Sequence, residues 1–215
     1  MKTEVRGTQI ELEPNSRPYL LKRILADSVD IVLIFGLYLL LTFLILQTPL
    51  ADSYHAHAGR ALEIVSEKTA QFPDDPAAVG ASLNADAEYR DEVFTANLYG
   101  YLLKGLAVFL AEALFLLVIP LANRDRMTVG KRLTGIMPFN EKRQSRAAWF
   151  QLLYRFLFVF IIDSMVLYLF TGTLSFLAVP VLRLAEMLTN RKNKTICDAV
   201  TGIMIIEKVS YDGIN

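Results

Sequence analysis

The stretch KRILADSVDIVLIF, residues 22–35, opens the first long apolar run of the chain and carries charge into it. Arg23, Asp27 and Asp30 are spaced by four and then three positions, so a helix would place them on one face. A charged side chain at the centre of a bilayer costs about 2.5–3.5 kcal/mol on insertion scales, so such charges usually pair or line a path. The stretch therefore raises two questions: whether the chain spans a membrane, and what its charged stripe meets.

Long apolar runs predict membrane-spanning helices. The chain of 215 residues is 53% hydrophobic, only a little above the roughly 45–50% of soluble domains, so the distribution decides more than the total. The runs 29–46, 101–121 and 149–170 have 18, 21 and 22 residues, close to the roughly 20 that one span needs. A fourth run, 171–188, is weaker because it contains Pro180, Arg183 and Glu186. We predict an all-α integral membrane protein with four transmembrane helices.

The distribution of basic residues predicts the orientation, because Lys and Arg accumulate in short cytoplasmic loops. Residues 1–28 contain five of them, 122–148 seven against two acids, and the tail 189–215 four. Segment 47–100 reverses the sign, with nine acids and three basic residues. We therefore expect a multi-pass protein of the cell (inner) membrane, with both termini and the basic loop in the cytoplasm. The first span, preceded by a largely polar segment without an A-x-A-like site, is expected to act as the insertion signal.

The segments outside the spans carry their own patterns. In the outer segment 47–100, residues 59–72 have helical spacing and PDDP (73–76) breaks it, which predicts two outer helices joined by a turn. On the cytoplasmic side, 8–13, 135–139 and 202–209 are short β-favouring runs that we expect to pair into a small sheet. No internal repeat is evident.

Metal and thiol chemistry receive little support. Cys197 is the only cysteine, which excludes an intrachain disulfide and a thiolate metal cluster. His55 and His57 lie near Asp52, but two alternating histidines in an outer loop are usually solvated, so we predict no metal site. No catalytic motif occurs, and the glycine that precedes the Gly130–Lys131 pair is too distant for a phosphate loop. We predict no enzymatic activity and no cofactor.

Three motifs carry a family resemblance. RILADSVD (23–30) has an Arg, an Ala and an Asp at the spacing of the opening signature of the RDD family of small membrane proteins. TVGKRLTGI (128–136) resembles that family's T-x-G-K-R-x-x-G loop, and NKTICDAVTGIMII (193–206) resembles its closing segment. Asp198 corresponds to the second Asp for which the family is named. The motifs occur in the family's order, so the chain resembles the RDD family over residues 23–206.

The resemblance implies a multi-pass membrane protein, and cation/proton antiport has been proposed for some members. Two positions depart from the pattern. The family commonly has a His where this chain has Cys197, and a Gly-Thr where this chain has Gly202-Ile203. A role that needs the imidazole or the hydroxyl at those positions is therefore not expected here.

Charged residues of both signs converge on the expected inner leaflet from three helices and two loops. Alternating signs favour an ion-pair network that fastens the helices to the cytoplasmic sheet, and a polar site for an ion or a lipid headgroup is the alternative. The predicted members are Arg23, Asp27, Asp30, Lys131, Arg132, Arg155, Arg183, Glu186 and Asp198.

Two acids do not fit that network. Glu112 and Asp163 lie roughly 13 and 21 Å from the cytoplasmic ends of their predicted helices, at 1.5 Å per residue. Lys104 lies near the outer end of the second predicted span, too far away to neutralise both acids. We expect each to hold a proton unless a cation joins it, as in proton-coupled carriers. The alternative is a neutral carboxyl group that donates one interhelical hydrogen bond.

Two functions remain open from the sequence. The first is monovalent cation/proton transport, mediated or supported by the protein as an oligomer, with Glu112 and Asp163 on the pathway. The second is a membrane scaffold or assembly factor that binds partner proteins or anionic lipid through its charged cytoplasmic face. The expected partners are the lipid bilayer, anionic lipid, and a second copy or another membrane protein, whereas nucleic acid is not expected.

Overall fold

The computed structural model describes residues 2–5, 8–11, 17–143, 145–166, 175–190 and 194–207. The chain is mainly helical within them. In chain order, the elements are β1 (Lys2–Val5), β2 (Thr8–Glu11), α1 (Arg17–Leu46), α2 (Asp52–Gln71), α3 (Pro76–Ala85), α4 (Ala87–Ala122), α5 (Val129–Thr134), β3 (Ile136–Asn140), β4 (Ser145–Arg146), α6 (Trp149–Val166), α7 (Ser175–Thr189), α8 (Ile196–Thr201) and β5 (Ile203–Glu207).

Among the described residues, three helices are long and apolar enough to cross a membrane: Leu20–Leu46 within α1, Ala87–Ala122 and Trp149–Val166. The chain is thus a membrane protein with apolar helices. The fourth predicted span overlaps α7, whose described 15 residues are fewer than the roughly 20 that a crossing needs. Since 167–174 lie outside the described residues, the fourth crossing stays a prediction.

Helix α1 begins at Arg17, twelve residues before the predicted first span 29–46. The charged residues at the start of the apolar run do not end the helix, and Arg23 and Asp30 are buried. The charged stripe and the apolar run therefore belong to one continuous helix.

Two of the spans contain wider, π-type turns. In α4 these turns cover Ala113–Val118, and the Ile119 N–H bonds the Leu114 carbonyl, five residues back. Pro120 explains the widening, because proline lacks an N–H and its ring would clash with the carbonyl four residues earlier. In α6 the π-type turns cover Val159–Val166. Such turns frequently occur at functional sites.

One compact unit comprises residues 38–107 and contains α2 and α3. The predicted break at PDDP is present: the Asp75 carboxylate accepts hydrogen bonds from the N–H groups of Ala77 and Ala78 at the start of α3. The histidines lie within α2 rather than in a loop. His57 Nδ1 is 2.6 Å from Glu92 Oε2, and no group of three metal-binding side chains occurs in the described part of the chain.

The other unit, residues 1–37 and 108–215, contains a sheet of order β4-β3-β5. Strands β3 and β5 pair antiparallel, with Pro138 opposite Ile205, so the predicted pairing of 135–139 with 202–209 is confirmed. Residues 8–11 do not join them, since β2 pairs with β1 in a separate hairpin. Both faces of the β3–β5 pair are buried, with Met137 and Met204 on one face and Ile136 and Ile203 on the other.

Candidate functional site

Strands β3 and β5 of the sheet each end one copy of the same helix–strand unit, which corrects the expectation of no repeat. The sequences TVGKRLTGIM (128–137) and TICDAVTGIM (195–204) share their first Thr and their closing Thr-Gly-Ile-Met. Each unit begins with a threonine that caps a six-residue helix. Each helix ends at a glycine with a left-handed backbone, Gly135 at φ 69° and Gly202 at φ 66°, which suits glycine because it has no Cβ. A strand follows in both.

The third residue of each short helix is a buried charge, Lys131 in α5 and Asp198 in α8. The two charges have opposite signs and meet opposite charges. Asp198 Oδ2 accepts from Arg23 Nη2 at 2.5 Å, and its Oδ1 lies 2.7 Å from Arg155 Nη1. Lys131 Nζ lies 3.7 Å from Asp27 Oδ1 and 3.8 Å from Asp30 Oδ2. The charged residues on α1 therefore form ion pairs with both copies of the same helix–strand unit.

Asp30 fixes the first turn of α5 against α1. Its Oδ1 accepts from the Gly130 N–H at 2.7 Å and its Oδ2 from the Thr128 hydroxyl at 2.5 Å. A Cβ on Gly130 would lie 2.0 Å from the Ala26 carbonyl oxygen. The close contact between the two backbones explains why small residues occupy both positions in their motifs.

The environment shifts the pKa of both third-position residues. Burial would raise the pKa of Asp198, but the charges of Arg155 and Arg23 and the hydrogen bond from Arg23 outweigh it, so the pKa falls well below its ordinary value. Burial lowers the pKa of Lys131 and the charge of Arg155 lowers it further, against the opposing effect of Asp27, Asp30 and Asp198. Asp198 is held as a carboxylate, whereas Lys131 gives up its proton more readily than an exposed lysine.

Six of the predicted residues thus come together: Arg23, Asp27, Asp30, Lys131, Arg155 and Asp198. Their three positive and three negative formal charges cancel. This balance matters because an unpaired buried charge is strongly destabilising. We call these six residues the charge cluster. Whether it also serves a function stays a prediction.

The other three predicted members are placed differently. Arg132 is exposed, and no ion pair to it occurs among the described residues. The Glu186 carboxylate accepts from the Ile196 N–H, 3.1 Å away, at the start of α8. Arg183 lines a cavity that borders the charge cluster.

This cavity has a volume of about 60 Å³, and since one water molecule needs roughly 10–15 Å³ of such space, it can hold several. Asp27, Asp30, Lys131 and Arg155 line one part of it, and Glu112 lines another. The remaining lining residues are Ile31, Ile34, Val108, Leu116, Pro120, Arg126, Thr128, Pro138, Leu152, Phe156, Val159, Ser164, Val179 and Arg183.

Glu112 is 5% exposed and accepts a hydrogen bond from the Ser164 hydroxyl. It lies on the last turn of α4 before the π-type segment, and Ser164 lies within the π-type segment of α6. The two wider helical segments therefore flank this contact. The predicted partner acid, Asp163, is in the same segment, but its side chain lies outside the described residues.

Sequence reasoning missed three polar residues of the cavity. Thr128 was identifiable as a helix cap three residues before Lys131, a spacing typical of N-caps. Arg126 lines the cavity from a left-handed backbone at φ 58°, and no local pattern marks it. Ser164 follows Asp163 directly, but an isolated serine in an apolar run gives no signal of its own.

Comparison with known proteins identifies the family. The model of the RDD family matches residues 17–202, a range that includes the first two motifs in full and the third motif as far as Gly202. No curated protein and no solved structure matches the chain significantly. Because the family match covers most of the sequence, the chain belongs to the RDD family.

Proposed function

We propose that this RDD-family membrane protein exchanges a monovalent cation for a proton across the membrane. The observation that carries the proposal is the position of Glu112: a buried carboxyl group within a candidate membrane span lines the same cavity as the charge cluster. Ionisable groups within spans are costly and usually mark ion pathways or proton relays. Asp163 remains the predicted second acid of the pathway.

The cavity supports this role physically. It is large enough for water, which could bring protons to Glu112 from the charge cluster. Ser164 keeps the Glu112 carboxyl group oriented. Its hydroxyl both donates and accepts hydrogen bonds, so it can bond to either the protonated or the ionised carboxyl group. The π-type segments beside it give the two helices wider turns at this point.

The membrane arrangement is part of the proposal. We infer four crossings of the inner membrane, with α7 as part of the fourth, because the basic residues after it then stay on the cytoplasmic side. Four helices are few for a transporter, and many carriers are built from inverted repeats of several helices. We therefore propose that transport requires an oligomer.

Flux measurements on reconstituted protein test the proposal. Purified protein in liposomes, with a pH-sensitive dye inside, should show proton movement when a gradient of Na⁺, K⁺ or Li⁺ is imposed. A gradient of choline should produce none. Absence of proton movement with all three cations would contradict the proposed transport.

The second candidate is the scaffold, favoured by the balanced charge cluster that ties α1 and α6 to α8. The seven basic residues of 122–148 would attract an anionic leaflet by about 1 kcal/mol for each charge near the surface. Protein that shows no flux, but binds vesicles of anionic lipid in preference to neutral ones, would support this function instead.

A further inference from the structure

The two short helices of the helix–strand units carry apolar residues on their outer sides. In α5 the first and fifth residues are Val129 and Leu133. In α8 they are Ile196 and Val200. These two positions lie roughly 40° apart around a helix, and the buried charge at the third position lies on the opposite face. Leu133, Ile196 and Val200 are 72%, 54% and 69% exposed. A helix on a water-facing surface has the reverse arrangement, with its polar residues outward.

Helix α8 lies beside the first turns of a candidate span. Gln151 Nε2 donates to the Thr201 carbonyl oxygen, 2.9 Å away, and the Cys197 thiol donates to the Arg155 carbonyl oxygen at 3.7 Å. Helix α8 therefore runs in the opposite direction to α6, alongside the turns that follow Trp149, where the span begins. From Trp149 to Arg155 a helix rises about 9 Å. A helix in the membrane interface buries its apolar face to a similar depth, roughly 5–10 Å.

Helix α5 lies at a matching level against α1. The backbones of Gly130 and Ala26 are in close contact, and Asp30 binds the first turn of α5. Ala26 follows Leu20, the start of the candidate span within α1, by about 9 Å at helical rise. With α1 and α6 crossing the membrane, the apolar faces of α5 and α8 both lie at the level of the lipid headgroups and the first acyl carbons.

An exposed cation adjoins only the face on α5. Arg132 precedes Leu133, and no ion pair to it occurs among the residues that the structure describes. The equivalent residue of α8 is Ala199. A guanidinium group forms paired hydrogen bonds with phosphate oxygens. Helix α5 therefore suits an anionic lipid, whereas α8 offers an apolar contact alone.

We propose that α5 and α8 are interfacial helices of the inner leaflet, in which Leu133, Ile196 and Val200 enter the lipid and Arg132 binds an anionic headgroup. Each helix then has lipid on its apolar side and the charge cluster on the other, so the leaflet helps to keep water from the buried charges. The proposal does not depend on transport. It goes beyond the general attraction of a basic loop to anionic lipid, because it assigns the contact to two helices and one arginine.

Quenching of tryptophan fluorescence by brominated lipid tests the depth. Trp149 is the only tryptophan, so full-length Trp149→Phe protein is the background, to which Leu133→Trp or Val200→Trp adds one reporter. In liposomes of lipid brominated on the upper acyl chain, we expect both reporters to be about twofold dimmer than in unbrominated liposomes. Leu62→Trp is the matched control, since Leu62 is 69% exposed on the charged helix α2, and its fluorescence should change little. Quenching at position 133 or 200 that is no stronger than at position 62 would overturn the proposal.

A second pair of positions covers the case in which an added tryptophan prevents folding. Val129→Trp and Ile196→Trp lie on the same two faces, one turn earlier, and should be quenched in the same way. Folded variants of this pair that show no quenching would equally overturn the proposal.

A mixed bilayer tests the role of Arg132. The liposomes contain equal amounts of phosphatidylglycerol and phosphatidylcholine, and only one of the two lipids is brominated. We expect position 133 to be quenched about twice as strongly when the phosphatidylglycerol is brominated, because a basic residue near the surface attracts anionic lipid. Position 200 should show no preference. Adding Arg132→Gln should abolish the preference at position 133 and keep the quenching itself. Equal quenching by both lipids at position 133, or a preference that persists in folded Arg132→Gln, would refute Arg132 as the headgroup ligand.

Discussion

At the scale of the residue, Lys131 and Asp198 show how one local unit can make two different contacts. Both are the third residue of a short helix capped by threonine, yet one meets the acids of α1 and the other meets Arg23. The sequence predicted that the charged residues share a stripe, because helical spacing is a local property. It could not predict which partners pair, since that depends on how the two units pack against α1.

Replacing Asp198 by Asn tests the ion pairs. The change keeps the shape of the side chain but leaves Arg23 and Arg155 buried without their common carboxylate. Removing one partner of a buried pair typically costs about 3–5 kcal/mol, so we expect a large fall in the thermal unfolding temperature in detergent or in folded yield. The control is Arg60→Ala, which removes only exposed ion pairs, to Glu63 on α2 and Glu88 on α4. Equal stability of the two variants would contradict the structural role of the cluster.

At the scale of the element, the sequence was informative wherever the pattern was local. Strands β3 and β5 follow glycines and are rich in apolar residues, and both were predicted. The predicted helical stripe of Arg23, Asp27 and Asp30 lies within α1, but the first residue of α1 had no signal in the sequence. The repeat was missed because its third positions carry opposite charges and only a few residues are shared.

The contact between α1 and α5 can be tested at its closest point. In Gly130→Ala the new Cβ would lie 2.0 Å from the Ala26 carbonyl oxygen, so the two backbones must separate. We expect a loss of about 1–3 kcal/mol, typical of overpacking, seen as a lower thermal unfolding temperature. Gly36→Ala in α1 is the matched control, because nothing lies within 4 Å of its new Cβ. An unchanged unfolding temperature in Gly130→Ala would show that α5 does not pack as described.

At the scale of the whole molecule, composition and charge predicted a membrane protein, and three long apolar helices agree with it. The number of crossings was harder to predict, because α7 contains polar residues that a hydropathy pattern penalises. Those residues include Arg183, which lines the cavity. The cavity itself had no signal in the sequence, since α1, α4 and α6 contribute to it from distant parts of the chain.

Accessibility labelling tests the orientation. In a Cys197→Ser background, a cysteine at position 82 should react with an impermeant maleimide added to intact cells. A cysteine at position 145 should react only after the membrane is opened, because the proposed topology keeps the positive loop in the cytoplasm. Labelling of position 145 from outside would reverse the proposed topology.

The most direct test of the account is cation-driven proton flux in liposomes that contain the Glu112→Gln variant. Gln keeps the size of the side chain and can still accept the hydrogen bond from Ser164, so the protein should fold. We predict that flux falls at least tenfold, which corresponds to about 1.4 kcal/mol or more. Glu63→Gln, whose parent side chain is 66% exposed on α2, should retain the wild-type flux. Wild-type flux in folded Glu112→Gln would contradict the claim that Glu112 carries the proton.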